Sequence, residues 1–349
     1  MRPEPFRIEP IFSPRLWGAR SLAPLFPEKS NLPEPLGEAW LTGMDCCIAS
    51  GPFAGKTLGT AWTEMPVEWR GSRLAAEANF PLLVKFIFPT EKLSLQVHPD
   101  DAYAAAHEQA AGGRGKTEMW HTVSALPGAE LLLGLKPSVN REQFREGLAS
   151  HTVEDLFEAH TVQTGDTFFV RPGTPHSIGP NLIVCEVQEY SDLTYRVYDF
   201  GRVDASGKPR ELHVEKALQV MKFGKPANGK VPSMLLSADS PTRSLLAACR
   251  YFATERWECS AKCEIAVDPE RFELIVILEG AGSFAWADSA VLYHRGECWL
   301  VPASQGHVDV LPETTTSLIR TYVPDIPALR MELLRNGIAT VALAQVIFD

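Results

Sequence analysis

Gly165-Asp-Thr-Phe-Phe-Val-Arg-Pro-Gly-Thr-Pro-His176 and Gly296-Glu-Cys-Trp-Leu-Val-Pro-Ala-Ser-Gln-Gly-His307 are two versions of one pattern. Each opens on a turn glycine followed by an acid, runs through a short apolar strand, turns at a proline and ends on a histidine at the same distance. One β-unit used twice accounts for the match. The same texture continues on both sides. Runs rich in β-branched and aromatic residues lie at Leu82–Phe88, Leu93–Val97, Leu131–Leu135, Thr167–Val170, Leu182–Val187, Phe272–Leu278, Cys298–Val301 and Thr316–Val323. The 27 Pro and 25 Gly are spread between them rather than gathered into one linker. Many short strands with frequent turns predict an all-β sandwich or barrel with a few helices.

A length of 349 residues allows about two domains, each with its own core. The most linker-like stretch is Gly224–Pro232, so the predicted division is 1–228 and 229–349. Helices are expected over Ala102–Ala111, capped by Asp100 and Asp101, and over Glu211–Met221, where Val214, Ala217, Leu218 and Met221 recur at helical spacing and suggest a bridge between domains. A helical insertion near 140–160 has two candidates, Arg141–Ala149 and Val153–Ala159.

Composition bounds the function. A hydrophobic content of 45% with 22% charged residues is that of a globular chain. The net charge of -10 argues against nucleic acid or an anionic membrane as partner, so an anionic ligand needs a local cluster of Lys and Arg. The start of the chain shows no signal-peptide core, and the greasiest run, Phe80–Phe88, is interrupted by Lys85. Seven scattered cysteines make no paired disulfide framework and no double CxxC knuckle. Cys259 and Cys263 read as buried thiols. The expectation is a cytoplasmic protein, a monomer or weak dimer.

Chemistry concentrates around Leu95-Gln-Val-His-Pro-Asp-Asp101. Strand alternation puts Gln96 and His98 on one face and Leu95 and Val97 on the other. An imidazole, a carboxylate and an amide oxygen form a suitable set for a divalent first-row metal. His98 can meet Glu118 across neighbouring strands or a connecting loop, and His176 follows a tight Pro172-Gly-Thr-Pro175 turn. Two His and one carboxylate leave coordination positions open for water or substrate. Spacing alone does not separate this from ordinary surface histidines. Asp100 and Asp101 read as helix cap and first-turn dipole partners rather than paired catalytic acids, and Trp17, Trp40 and Trp120 as core rather than sugar-stacking residues.

Leu95–Asp101, Gly115-Lys-Thr-Glu118, Pro172-Gly-Thr-Pro-His-Ser-Ile-Gly179 and Ser191-Asp-Leu-Thr-Tyr-Arg-Val-Tyr-Asp199 together resemble the type I mannose-6-phosphate isomerases in their short bacterial form. Leu16-Trp-Gly18, Gly37-Glu-Ala-Trp40, Gly51-Pro-Phe-Ala-Gly-Lys-Thr-Leu58 and Phe80–Phe86 look like that family in the same order. The likeness is clear over roughly residues 6–202 and faint beyond. Met119-Trp-His121 and Thr174-Pro175 depart from the family's pattern without touching a proposed ligand. The resemblance implies two cupin (jelly-roll) barrels and one zinc ion held by Gln96, His98, Glu118 and His176. It places Lys116, Asp192 and Arg196 in the active site, with Lys85 as a substrate-side addition. The implied reaction interconverts mannose 6-phosphate and fructose 6-phosphate through an enediol.

Residue chemistry fits such a reaction. Lys116 serves as base if burial beside the cation depresses its pKa, and otherwise as an electrostatic clamp. Arg196 suits the enediolate or the phosphate, with Asp192 placed to orient its guanidinium. The second half is expected to be metal-free, because His294 and His307 lack partners at ligand spacing. Two alternatives remain open: a non-haem iron oxygenase with a facial triad, and a non-catalytic sugar-binding module.

Overall fold

The computed structural model describes residues 2–204, 206–224 and 229–349. Four β-sheets stack as layers, and the stacking explains why some strands are apolar throughout while others alternate. A seven-stranded sheet runs in the order 230–231, 167–170, 118–125, 182–189, 82–87, 36–40 and 11–19. Against one face lies a five-stranded sheet, ordered 195–198, 95–97, 176–178, 130–135 and 157–161. Trp120, Phe168, Ile87 and Val184 of the first sheet pack there on Leu131, Leu133 and Ile178 of the second. The C-terminal half repeats the arrangement. Its seven-stranded sheet is ordered 6–8, 298–301, 273–279, 316–322, 253–259, 242–248 and 234–237, and its four-stranded partner 263–266, 307–312, 281–286 and 289–294.

The two seven-stranded sheets meet back to back. Leu82, Val84, Phe86, Met119, Cys185 and Val187 from one pack with Leu245, Leu274, Val276, Leu300 and Ile319 from the other in a single core. Strands buried on both faces read as continuous apolar runs, and all six residues of Leu82–Ile87 are buried. Lys85 is the exception in that run because its alternate position faces the space between this sheet and the five-stranded one. Edge strands cross between the halves in both directions. Phe6–Ile8 pairs with Cys298–Val301 of the C-terminal sheet, and Lys230–Val231 pairs with Thr167–Val170 of the N-terminal one. Residues 225–228 of the expected linker, including the division at 228, lie outside the described residues.

The duplicated motif keeps its meaning in three dimensions. Gly165 and Gly296 both adopt positive φ, 89° and 84°, a turn conformation glycine enters freely. The strands Thr167–Val170 and Cys298–Val301 follow, and His176 and His307 each open the next strand.

The helices depart more from expectation. Asp100 caps a helix over Asp101–His107, accepting from the Tyr103 amide, and a 3-10 turn over Gln109–Ala111 replaces the rest. Asn140 and Gln143 form a capping box for Arg141–Ser150. The second insertion helix is instead a 3-10 turn, Val153–Leu156, leading into the edge strand Phe157–Thr161. Helix Val214–Val220 does not bridge the halves: with Phe144 it covers the outer face of the five-stranded sheet, over Leu95, Val97, Tyr195 and Val197. Sequence periodicity missed Leu58–Glu64, Ile326–Arg335 and Thr340–Val346.

Candidate metal and sugar-phosphate site

The strand pairings build the site. In the five-stranded sheet Arg196, Gln96 and His176 are direct cross-strand partners in one row, so their side chains share a face. That face points inward, because the alternating Leu95 and Val97 are buried under the helices outside. His98 follows one residue beyond the strand Leu95–Val97. From the opposing sheet Glu118 pairs with Gln188, and Lys85 with Glu186, which in turn pairs with Trp120. Glu118 therefore reaches His98 across the barrel rather than along neighbouring strands.

His98, Glu118 and His176 are buried and each offers a ligand atom within 4.8 Å of the others. His98 Nε2 lies 3.3 Å from Glu118 Oε1, and His176 Nε2 3.8 Å from Glu118 Oε2. The far nitrogen of each ring is tied back to the main chain: His98 Nδ1 to Leu193 O at 2.8 Å, His176 Nδ1 to Thr174 O at 2.9 Å. That bond fixes the tautomer and turns both Nε2 lone pairs toward Glu118. Burial, above all, pulls both imidazoles down in pKa, His176 to about 3, so they are neutral. Burial opposes ionisation of Glu118, but the Lys116 ammonium outweighs it and holds its pKa well below the carboxylate range. Glu118 Oε2 is buried with no hydrogen-bond partner. Two neutral imidazoles and a carboxylate with one oxygen unpartnered, converging on one point, fit a divalent cation. Gln96 Nε2 sits 3.3 Å from His176 Nε2, so its oxygen joins the set only with the amide turned end for end.

Cations crowd the same space. Lys116 is buried, bonded to Glu118, 3.5 Å from His98 Nε2 and 3.9 Å from Glu186. Burial lowers its pKa, but Glu118 and Glu186 more than compensate and raise it. Without a bound ion Lys116 is therefore a cation, held by the two carboxylates. Lys85 is buried over the Trp40 ring, 4.3 Å from its centroid, and donates to Asp192 Oδ1 at 2.9 Å. Asp192 thus partners Lys85, not Arg196 as expected. Arg196 instead donates to Ser94 Oγ at 3.3 Å and to Glu211 O at 3.0 Å. Arg202 and Arg210, both bonded to Asp199, contribute to the field around it. Of these cations Lys85 and Lys116 are paired with acids, and Arg196 is the one bonded to neutral oxygens alone.

Sequence reading missed Glu186, the one inward acid among the apolar positions of Leu182–Val187. It is 4% exposed and accepts from Trp120 Nε1 at 3.0 Å. Burial, with Glu118 adding to it against the pull of Lys116 and Lys85, pushes its pKa up to about 7. Alternation within Val184-Cys-Glu-Val-Gln188 was the available signal, since Glu186 and Gln188 share a face. Glu38 was also missed; it accepts from Arg15 at 2.5 Å and from Trp40 Nε1 at 3.0 Å. Trp17 and Trp120 are core residues as expected. Cys259 and Cys263 are buried thiols with Sγ atoms 3.1 Å apart.

No family profile matches the chain. It is similar to the mannose-6-phosphate isomerase of Streptococcus mutans, 32% identical over 304 residues that cover 86% of this chain and 92% of that one. The crystal structure of the mannose 6-phosphate isomerase from Bacillus subtilis superposes with a TM-score of 0.82 at 30% identity, covering 91% of this chain and 99% of that one. The apo form of the Salmonella typhimurium enzyme, at 15% identity and a TM-score of 0.70, shares the fold. The chain belongs to the mannose-6-phosphate isomerase family.

Proposed function

We propose that this chain is a metal-dependent aldose–ketose isomerase that interconverts mannose 6-phosphate and fructose 6-phosphate through an enediol, with one zinc ion held by His98, Glu118, His176 and Gln96. The observation that carries the reading is the orphaned Glu118 oxygen facing two Nε2 atoms, beside buried Lys85 and Lys116. When bound, the ion supplies positive charge for the oxyanion that develops on the sugar. Arg196 binds the anionic substrate, its planar fork suited to a phosphate. Lys116 stays protonated and steadies negative charge at the sugar oxygens. Asp192, half exposed, bonds the buried Lys85 ammonium and holds it in place. Glu186, with a pKa near neutrality, takes and returns the proton that moves between C1 and C2. The seven unpaired thiols suit a reducing cytoplasm. The two sheet pairs support a division into a metal-binding N-terminal barrel and a C-terminal barrel that covers it.

The test incubates metal-replete protein with fructose 6-phosphate and follows mannose 6-phosphate. Product is expected from the wild type, and His98→Ala is expected to lose both bound ion and turnover. Metal-replete wild type that forms no isomer refutes the proposal. The same assay run anaerobically separates isomerisation from oxygenase chemistry.

A further inference from the structure

The backbone that delivers Lys116 and Glu118 is not held as a strand before Glu118. Gly115 N donates to Asp101 Oδ1 at 2.9 Å, Lys116 N to Pro99 O at 3.1 Å and Thr117 N to Glu189 Oε1 at 2.7 Å. Two of these three anchors are carboxyl groups, and they face each other. Burial and the Asp101 charge push Glu189 up to about 8, so near neutral pH it carries a proton to share with Asp101. The fit is close: a Cβ on Gly115 would lie 2.6 Å from the Asp100 carbonyl carbon. The second oxygen of Asp101 then reaches the other half of the molecule, accepting from Tyr251 Oη at 2.5 Å and Arg250 Nη2 at 2.6 Å. Arg250 and Tyr251 occupy the turn between the C-terminal strands Thr242–Ala248 and Ala253–Cys259.

We propose that the C-terminal half serves the reaction through this contact, with Tyr251 and Arg250 holding Asp101, and Asp101 and Glu189 setting the peptide groups from which Lys116 and Glu118 project. All four are positioning residues: they act through the backbone of residues 115–117, and small displacements of reacting groups are costly in rate. Tyr251 is the stronger hold, since the Arg250 guanidinium is largely exposed and surface pairs contribute little. The kinetic part of this inference rests on the isomerase reading; the structural part does not.

Tyr251→Phe removes the hydroxyl and keeps the ring. Two measurements on metal-replete protein decide the matter: amide hydrogen exchange over residues 114–118, and steady-state kinetics with fructose 6-phosphate. Exchange in that segment is expected to quicken by about fivefold, the scale of one net hydrogen bond, and kcat to fall by a similar factor with KM unchanged. Arg250→Ala is expected to move both in the same direction by less. Unchanged exchange in Tyr251→Phe overturns the proposal, as does faster exchange spread over the whole chain or confined to 114–118 with kcat unaltered. A wild type without isomerase activity overturns the functional reading instead, and the exchange measurement then decides the positioning role alone.

Discussion

Replacing Glu186 with Gln isolates what an acid costs inside the first barrel. Folding moves this carboxyl from its ordinary 4.5 to about 7, and at about 1.4 kcal/mol per pKa unit that amounts to about 3 kcal/mol. Below the unfolded value both states carry the proton and the group contributes nothing. Between the two values the unfolded chain has released its proton while the folded chain keeps it, so stability falls as pH rises; above the folded value the whole loss is in place. Glutamine never ionises and still offers an oxygen to Trp120 Nε1. In metal-free protein, Glu186→Gln is therefore expected to match the wild type near pH 4.5 and to be more stable by up to about 3 kcal/mol near pH 8, several degrees in Tm. Thermal melts in a chelator across that range make the measurement. A stability difference that stays flat with pH, or favours the wild type at high pH, refutes the reasoning. With metal restored, the same substitution is expected to lower kcat by about 10²–10⁴-fold, the range of a lost acid–base group.

Two further substitutions probe other parts of the molecule. Arg196→Lys keeps the charge and loses the fork, so KM for the phosphosugar is expected to rise about tenfold with the bound metal unchanged, read by steady-state kinetics and metal analysis. Arg320 is buried in the C-terminal half with two bonds of 2.7 Å to Glu273; Arg320→Ala leaves that buried carboxylate only the longer 3.5 Å contact with Arg271 and is expected to cost about 3 kcal/mol in denaturant unfolding. The double variant Arg320→Met with Glu273→Leu is expected to recover most of that loss, because it removes both charges together.

Strand texture was legible because a half-buried strand must alternate and a doubly buried one cannot. Leu95-Gln-Val-His98 announced its two faces, and Leu82–Ile87 announced burial on both. The repeated Gly-acid-strand-His unit was legible because the same turn geometry demands the same residues twice. Helix ends were read less well: Val153–Ala159 has a helical composition, but Phe157–Thr161 completes a sheet edge beside Glu130–Leu135, and the ladder wins over local preference.

The sequence by itself determined the mainly β class and the two-fold internal echo, since strand alternation and turn residues are local properties, while Gln96, His98, Glu118 and His176 were singled out by the resemblance of their motifs and not by spacing. Only the tertiary structure decided that Glu118 arrives from the opposing sheet, that Asp192 serves Lys85 rather than Arg196, and that Glu186 sits at a near-neutral pKa. Each of these depends on charges brought together from distant parts of the chain in a space that excludes water. Coulomb interaction and desolvation act through space, and neither can be read along a chain until its layers have been stacked.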